Sequence, residues 1–294
     1  MTVNDTRPRP GGDATGAAPG SGSTLAARLA ASGLDWIVPD WPAPAAVGAL
    51  STTRHGGDGD GTADFNLGLA GALRAGADAA DAVRRNRRRL DAFLPSSPVW
   101  LDQVHGPGVA VLDAVNAAAA RGEPPVADAA VTRERGIVCA ALTADCLPVL
   151  FADAHGRAVG VAHAGWRGLA AGVLEATVAA LGRLDAPARD LRVWLGPAIG
   201  PRAFEVGADV RDAFIAADAG AVACFVAHGP GKWHADLYGL ARRRLAAAGV
   251  RGIRGGEHCT WSDGGRFYSY RRDRDTGRMA TLVWLAPEGD AAKL

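Results

Sequence analysis

Apolar residues fall in short runs separated by clusters of Gly, Pro and Asp, and the spacing changes from one stretch to the next. Ile137 to Leu142, Pro148 to Phe151 and Ala158 to Ala162 are continuous apolar runs of strand length, with a turn cluster, Asp153-Ala-His-Gly-Arg157, between the last two. They predict a buried β-hairpin. With His155-Gly156 as its two-residue turn, His163 lies across from Pro148 and diagonal to Cys146. Side chains alternate faces along a strand, so 146 and 148 share a face, and diagonal Cβ atoms lie roughly 7 Å apart. A thiol and an imidazole thus converge at one end of the hairpin, either on a metal ion or as a nucleophile and its base. Beyond His163, Leu169, Val173, Ala176, Thr177 and Leu181 recur at helical spacing and predict a helix over Gly165 to Leu181. Its start offers unpaired N–H groups to an anion, with Arg167 beside them.

Periodicity predicts the remaining elements. Leu25 to Gly33 reads as a short helix, Trp36 to Asp40 as an edge strand, and Val47 to Thr52 as a strand entering the glycine-rich loop Arg54 to Thr62. A helix spans about Ala77 to Phe93, with Val83, Leu90 and Leu94 on one face. Arg87 projects from that apolar stripe and needs a partner, whereas Arg84, Arg85, Arg88 and Arg89 fan toward water. Val99 to Val104 and Val109 to Asp113 read as a strand pair turning at His105-Gly-Pro-Gly108. Asp128 to Thr132 and Leu191 to Leu195 are further strands, the latter entering Gly196-Pro-Ala-Ile-Gly-Pro201. Phe204 to Val206 is extended, Val210 to Ala217 helical, and Trp233 to Ala248 a helix stopped at Gly249. Strands are expected near Gly256 to Thr260, Phe267 to Ser269 and Met279 to Leu285. Without a regular βαβ beat, the order predicts a single α+β domain with mixed sheets.

Composition narrows the partners. A chain of 294 residues, 48% hydrophobic, can bury a substantial core. A net charge of +1 implies neither a broad nucleic-acid surface nor one for acidic membranes, so small or locally bound ligands are expected. The first 22 residues are rich in Gly, Pro, Ser and Ala and lack a signal-peptide core, so 1–24 is expected to be a disordered tail and 25–290 the catalytic domain. No apolar run is long enough to span a bilayer. Four cysteines in such a chain do not make a disulfide framework, and a reducing cytoplasm is the expected location.

His105, at a strand end beside glycines, is the third candidate ligand. Two imidazoles and one thiolate with a fourth position open is the pattern of a catalytic zinc; a structural zinc is usually closed by four.

Further motifs carry a resemblance. Trp100-Leu-Asp-Gln-Val-His-Gly106, Thr143-Ala-Asp-Cys-Leu-Pro-Val-Leu150, His163-Ala-Gly-Trp-Arg-Gly168, Gly196-Pro-Ala-Ile-Gly-Pro201 with Glu205-Val-Gly207, and Phe267-Tyr-Ser-Tyr-Arg-Arg-Asp273 with Gly277-Arg-Met-Ala280 resemble the YfiH family, also called laccase-domain or multicopper polyphenol oxidase proteins. The match runs in order from about Ser51 to Leu285. It implies a four-layer α/β/β/α sandwich holding one zinc through His105, Cys146 and His163. It also implies phosphorolysis of adenosine, inosine and methylthioadenosine, with adenosine deamination. A copper-dependent polyphenol oxidase activity and, in some bacterial members, peptidoglycan editing are attached to the same family. Arg202, Ala203 and Phe204 depart from the cysteines and tyrosine often found after Gly-Pro-x-Ile-Gly-Pro, so no catalytic role is carried onto them.

Each chemistry asks for specific groups. Deamination needs a water activated by the metal and a general acid. Glu205 is a candidate acid, and Asp145 adjoins a ligand but should face away from it. Phosphorolysis needs an anion site, for which Arg167 is the first candidate and Arg54 and Arg271 weaker ones; Trp166, Phe65 and Tyr268 are candidates for stacking on a purine. An oxidase reducing oxygen to water needs several coppers, and seven histidines, three of them converging, are too few to hold them; Met279 as an axial thioether lacks support. Copper is therefore the alternative ion and zinc the expected one. The expected partners are purine nucleosides and phosphate, with neither nucleic acid nor membrane, acting as a monomer or homodimer. The alternatives are a metal-free Cys146/His163 hydrolase acting on cell-wall precursors and a metal-stabilised binding module.

Overall fold

The longest apolar runs become the most buried strands of the protein, a computed structural model that describes residues 23–57 and 65–294. The expected tail before Ser23, and the glycine-rich loop from position 58, lie outside the described residues. One sheet has the order β1-β12-β4, formed by β1 (Val47–Ser51), β4 (Val138–Thr143) and β12 (Met279–Leu285), antiparallel throughout. A six-stranded sheet has the order β11-β7-β5-β6-β3-β2. Its strands are β2 (Val109–Leu112), β3 (Ala129–Thr132), β5 (Leu147–Asp153), β6 (Val159–Ala164), β7 (Leu191–Leu195) and β11 (Gly252–Gly255). The outer pairs, β2 with β3 and β11 with β7, are parallel and the inner ones antiparallel, so the sheet is mixed.

Alternation along these strands builds three apolar layers. Between the sheets, Ala49, Cys139, Ala141 and Val283 meet Leu150, Val161 and Trp194. On the outer face of the first sheet, α1 (Leu25–Ala31) and α3 (Ala77–Asp91) lay Leu25, Leu29 and Leu90 over Leu50, Val138 and Leu282. On the outer face of the second, α6 (Val173–Gly182) and α8 (Leu237–Ala247) cover Leu147, Val149 and Val193 with Val173, Leu181 and Leu240. The result is the expected α/β/β/α sandwich, each fully buried Leu or Val contributing about 1.5–3 kcal/mol. Packing is close. Gly48 pairs with Trp284 across β1 and β12, and a Cβ there would overlap the indole ring. Gly48→Ala should therefore lower stability by about 1–3 kcal/mol or more; a urea denaturation midpoint equal to the parent's would contradict this packing.

Several expectations need correction. Val99 to Val104 does not pair with Val109 to Asp113. Instead β2 runs parallel to β3, and Val99 and Asp102 make single bridges to Cys139 and Val126. The physical reason is a carboxylate: Asp128 accepts the N–H groups of Val104, His105 and Gly106, which draws that turn inward. Trp36 to Asp40 makes one bridge, Ile37 to Ser51, before Pro39 interrupts it. The helix after Gly165 is broken by Gly172, left-handed at φ 93°, into α5 (Trp166–Ala170) and α6. Trp233 to Ala235 is a strand, β10, between β8 (Glu205–Val206) and β9 (Phe225–Ala227), and α8 begins only after the Asp236 cap. Gly255 and Gly256, both with positive φ, end β11 where a strand was expected to begin. Phe267 to Ser269 forms no strand and leads into α9 (Tyr270–Asp273), capped by Ser269. Two short helices, α2 (Leu69–Ala75) and α4 (Ala114–Ala120), had no clear periodic signature. Arg87 finds its partner as anticipated. Its guanidinium donates twice to the Leu67 carbonyl and lies 4.1 Å from the Trp100 ring centre, and burial, partly offset by Asp91, lowers its pKa to about 10.

Candidate metal centre

The hairpin has the register its sequence predicts, with Pro148 opposite His163 and Leu147 opposite Ala164. Cys146 sits just before β5, on the short link from β4, and His163 lies on β6. His105 reaches them from a pinned loop. Gln103 exchanges two hydrogen bonds with the backbone of Leu142 at the end of β4, while Asp128, preceding β3, takes the backbone N–H of His105 at 2.9 Å. These tethers hold His105 at φ 62°, a left-handed conformation that costs a non-glycine residue about 1–3 kcal/mol and persists only where its surroundings over-determine it. The result is convergence. One ligand atom from each of His105, Cys146 and His163 lies within 4.8 Å of the others, and Cys146 Sγ is 3.7 Å from His105 Nε2. The two imidazoles meet edge to face, with centres 4.7 Å apart. Gly165 and Gly168 make this possible, because a Cβ at 165 would lie 2.8 Å from Cys146 Sγ and one at 168 would lie 3.1 Å from the Gly106 carbonyl.

Asp128 sets the chemistry of the buried imidazole. Its Oδ1 accepts His163 Nδ1–H at 2.8 Å, the usual arrangement of a metal-ligating histidine and its carboxylate, which leaves Nε2 as the nitrogen that could take an ion once its own proton is displaced. Burial alone would raise the Asp128 carboxyl, but hydrogen bonds from His163 and from the Gly106 and His105 N–H groups outweigh it and hold the group below the usual carboxylate range. Burial also opposes the charge on Cys146. The adjoining His163 and His105 rings nevertheless bring the thiol down to about 6, and Cys146 with Asp128 bring His163 up to about 9. Cys139, sealed in the core by burial alone, is pushed up to about 12. In chelator-treated protein at neutral pH, Cys146 should therefore react with iodoacetamide well before Cys139, and more slowly as pH falls through about 6 and the thiolate is protonated. Peptide mass spectrometry showing equal labelling of the two would remove the thiolate from this account.

The donor set fits a divalent metal. Typical zinc–sulfur and zinc–nitrogen lengths, about 2.3 and 2.0–2.1 Å, place ligands around one ion roughly 3.5 Å apart, close to the observed sulfur–nitrogen separation. A thiol that ionises near neutral pH suits such an ion, whereas the imidazole, held at about 9, would release its Nε2 proton as the ion binds.

The other candidates divide. Arg167 is exposed, lies between the two glycines packed on the ligands, and rests 4.6 Å from the Trp166 ring centre. The anion site expected at a long helix start is reduced to this arginine, because α5 has only 5 residues. Arg271 donates to the Glu205 carbonyl and lies over Phe204, and Arg54 donates to the Gly264 carbonyl and lies over Tyr268. The Glu205 carboxylate pairs with Lys232 at 3.6 Å and His228 at 3.7 Å. Asp145 faces away from the cluster, as its position implied, toward Thr260 and Ser269. Phe65 is core, buried against Trp36, and Met279 packs with Ala144, Phe267 and Tyr268. Reasoning from the sequence overlooked Asp128 and Gln103. The first carried a signal, the one acid in the apolar run Val126 to Val131; Gln103 gave none beyond adjoining His105.

Fold and site together define a mixed α+β domain with one His-Cys-His group able to hold a metal ion, the single such group among the described residues. Resemblance to known proteins then identifies it: the chain belongs to the YfiH family, described as multi-copper polyphenol oxidoreductase laccase, which matches residues 48–286. It is 54% identical over 254 residues to a purine nucleoside phosphorylase of Pseudomonas aeruginosa, covering 85% of this chain and 98% of the relative. It is 52% identical, with the same coverage, to purine nucleoside phosphorylase YfiH of Escherichia coli. The crystal structure of a Neisseria meningitidis protein superposes with a TM-score of 0.77 at 47% identity, covering 86% of this chain and all of that one. YlmD from Geobacillus stearothermophilus gives 0.75 at 32% identity, covering 86% and 96%. Among the described residues no helix is long and apolar enough to cross a membrane.

Proposed function

We propose that the chain is a zinc-dependent purine nucleoside phosphorylase, with His105, Cys146 and His163 as the metal ligands, Arg167 as the phosphate arm, and adenosine deamination as a second reaction of the same site. The observation that carries this reading is the meeting of the three ligand atoms within 4.8 Å, in a chain about half identical to proteins named for that activity. In phosphorolysis a phosphate oxygen bonds to the anomeric carbon as the bond from that carbon to the purine nitrogen breaks, its electron pair leaving with the base. When bound, zinc supplies Lewis-acid stabilisation of developing negative charge or a water acidic enough to act in deamination. The chain's own part is placement. Asp128 orients His163, the glycines at 165 and 168 let the Arg167 segment lie against the ligands, and Arg167, with no hydrogen bond from its guanidinium among the described residues, is free to take a phosphate in fork geometry. Arg54 and Arg271 already donate to backbone carbonyls.

Product analysis of adenosine with and without phosphate, on metal-quantified protein, tests the reading: adenine plus ribose 1-phosphate marks phosphorolysis and inosine marks deamination, while neither product would reject both. Arg167→Ala should raise the KM for phosphate by about ten- to hundredfold, the loss of a charge-assisted contact of about 1.5–3 kcal/mol, with the nucleoside KM less affected. An unchanged phosphate dependence removes Arg167 from this role. The low-lying Cys146 thiol beside His163 supports a second reading, a metal-free cysteine hydrolase. Chelated protein that stayed active and died on alkylation would establish it. The oxidase reading has less support, since the described residues offer one cluster where several coppers are needed.

A further inference from the structure

Asp145 stands next to Cys146 and has an unusual set of constraints. Its backbone is left-handed, φ 91°, although it is not glycine. Its carboxylate is buried and fully engaged: Oδ1 accepts Thr260 Oγ1–H at 2.6 Å, and Oδ2 accepts Ser269 Oγ–H at 3.0 Å and the Arg271 N–H at 2.7 Å. Its carbonyl accepts the Ile199 N–H at 2.9 Å. Three segments distant in sequence therefore close on the residue beside the sulfur: the turn after β7, the loop around Thr260, and the start of α9. From there Arg271 extends over Phe204, 5.3 Å from the ring centre, and donates to the Glu205 carbonyl at 2.8 Å. A strained residue whose carboxylate and carbonyl are both engaged is held by its neighbours and in turn holds them.

We propose that Asp145 is a positioning residue: its backbone aims Cys146 Sγ at the ligand cluster while its carboxylate anchors the turn carrying Arg271, so that the sulfur and the Arg271 arm are set together. It touches neither metal nor substrate. The inference rests on the reading of His105, Cys146 and His163 as metal ligands and does not depend on which reaction the site performs.

Cobalt(II) titration of metal-free wild type, Asp145→Asn and Asp145→Gly tests it, because thiolate-to-cobalt absorption reports the sulfur contact directly. Both variants should bind cobalt roughly ten- to hundredfold more weakly, as loss of an outer partner of a metal site does, with weaker thiolate absorption per bound ion. Asparagine also tolerates the left-handed backbone, so a defect in Asp145→Asn isolates the carboxylate, whereas glycine removes it and frees the backbone as well. A merely structural carboxylate would lower the unfolding temperature and leave the per-ion spectrum unchanged. Should the Asp145 variants fail to fold, the pair Thr260→Val with Ser269→Ala keeps the acid and removes two of its donors, and should shift the spectrum in the same direction. Wild-type affinity and spectrum in the folded variants would overturn the proposal. Wild type that binds cobalt but does not phosphorolyse nucleosides would sink the proposed function alone, and wild type that binds no cobalt would sink both.

Discussion

Cys146→Ala is expected to release the metal and to lower nucleoside turnover by more than the ~10–100-fold that loss of an outer-shell partner costs. With sulfur gone, two imidazoles remain, and the charge of the site is removed with the thiolate. Cys146→Ser is the informative companion. A hydroxyl fits the space beside Gly165 but stays protonated near neutral pH, so it should keep the fold and still lose the metal. Zinc content by plasma emission, measured beside phosphorolysis, separates the roles: metal lost with turnover intact would make the ion structural and end the proposed mechanism. His105→Ala should behave similarly, and because alanine keeps a Cβ at φ 62° it relieves none of the backbone strain.

Asp128→Ala should be the most damaging single change outside the His105, Cys146 and His163 cluster. It leaves three N–H groups, those of Val104, His105 and Gly106, and the His163 Nδ1–H without their acceptor. Breaking one partner out of such a buried ionic network costs about 3–5 kcal/mol. The pH dependence has a definite sign. The folded carboxyl is held below its ordinary 3.8, so its contribution is complete above that value and is lost as pH falls through the lower folded one. The gap between wild type and Asp128→Ala in urea denaturation should therefore be widest near neutrality and narrow in acid. A gap below about 1 kcal/mol at neutral pH would show that other acceptors replace the carboxylate. Asp128→Asn, which keeps the volume but only one acceptor oxygen, should lie between the two.

The hairpin was legible because both of its strands are apolar throughout and its turn residues are unambiguous, which left one register for Cys146 and His163. The motifs then fixed the family and the sandwich. What was not legible depended on single side chains acting at a distance. His105-Gly-Pro-Gly108 has the composition of a hairpin turn, and its true course is decided by Asp128, more than 20 positions away in the chain. Trp233 to Ala235 continues smoothly into a helical pattern, and only the Asp236 cap and pairing with β8 and β9 divide strand from helix. Gly172 was readable as a possible break, yet helical spacing on both sides concealed it. Phe65 and Met279 look like site residues by composition and are core by packing, since a local sequence contains no record of which wall an aromatic or thioether will meet.

Cys146 lies on the link that leaves β4 in one sheet and enters β5 in the other, His163 belongs to the second sheet, and the His105 loop is tied by Gln103 to the first and by Asp128 to the second. The cluster is thus a clasp at the edge of the sandwich, and an ion seated there would be bonded to both halves of the core at once. Binding and the alignment of the two sheets become coupled: metal should raise the unfolding temperature with its concentration.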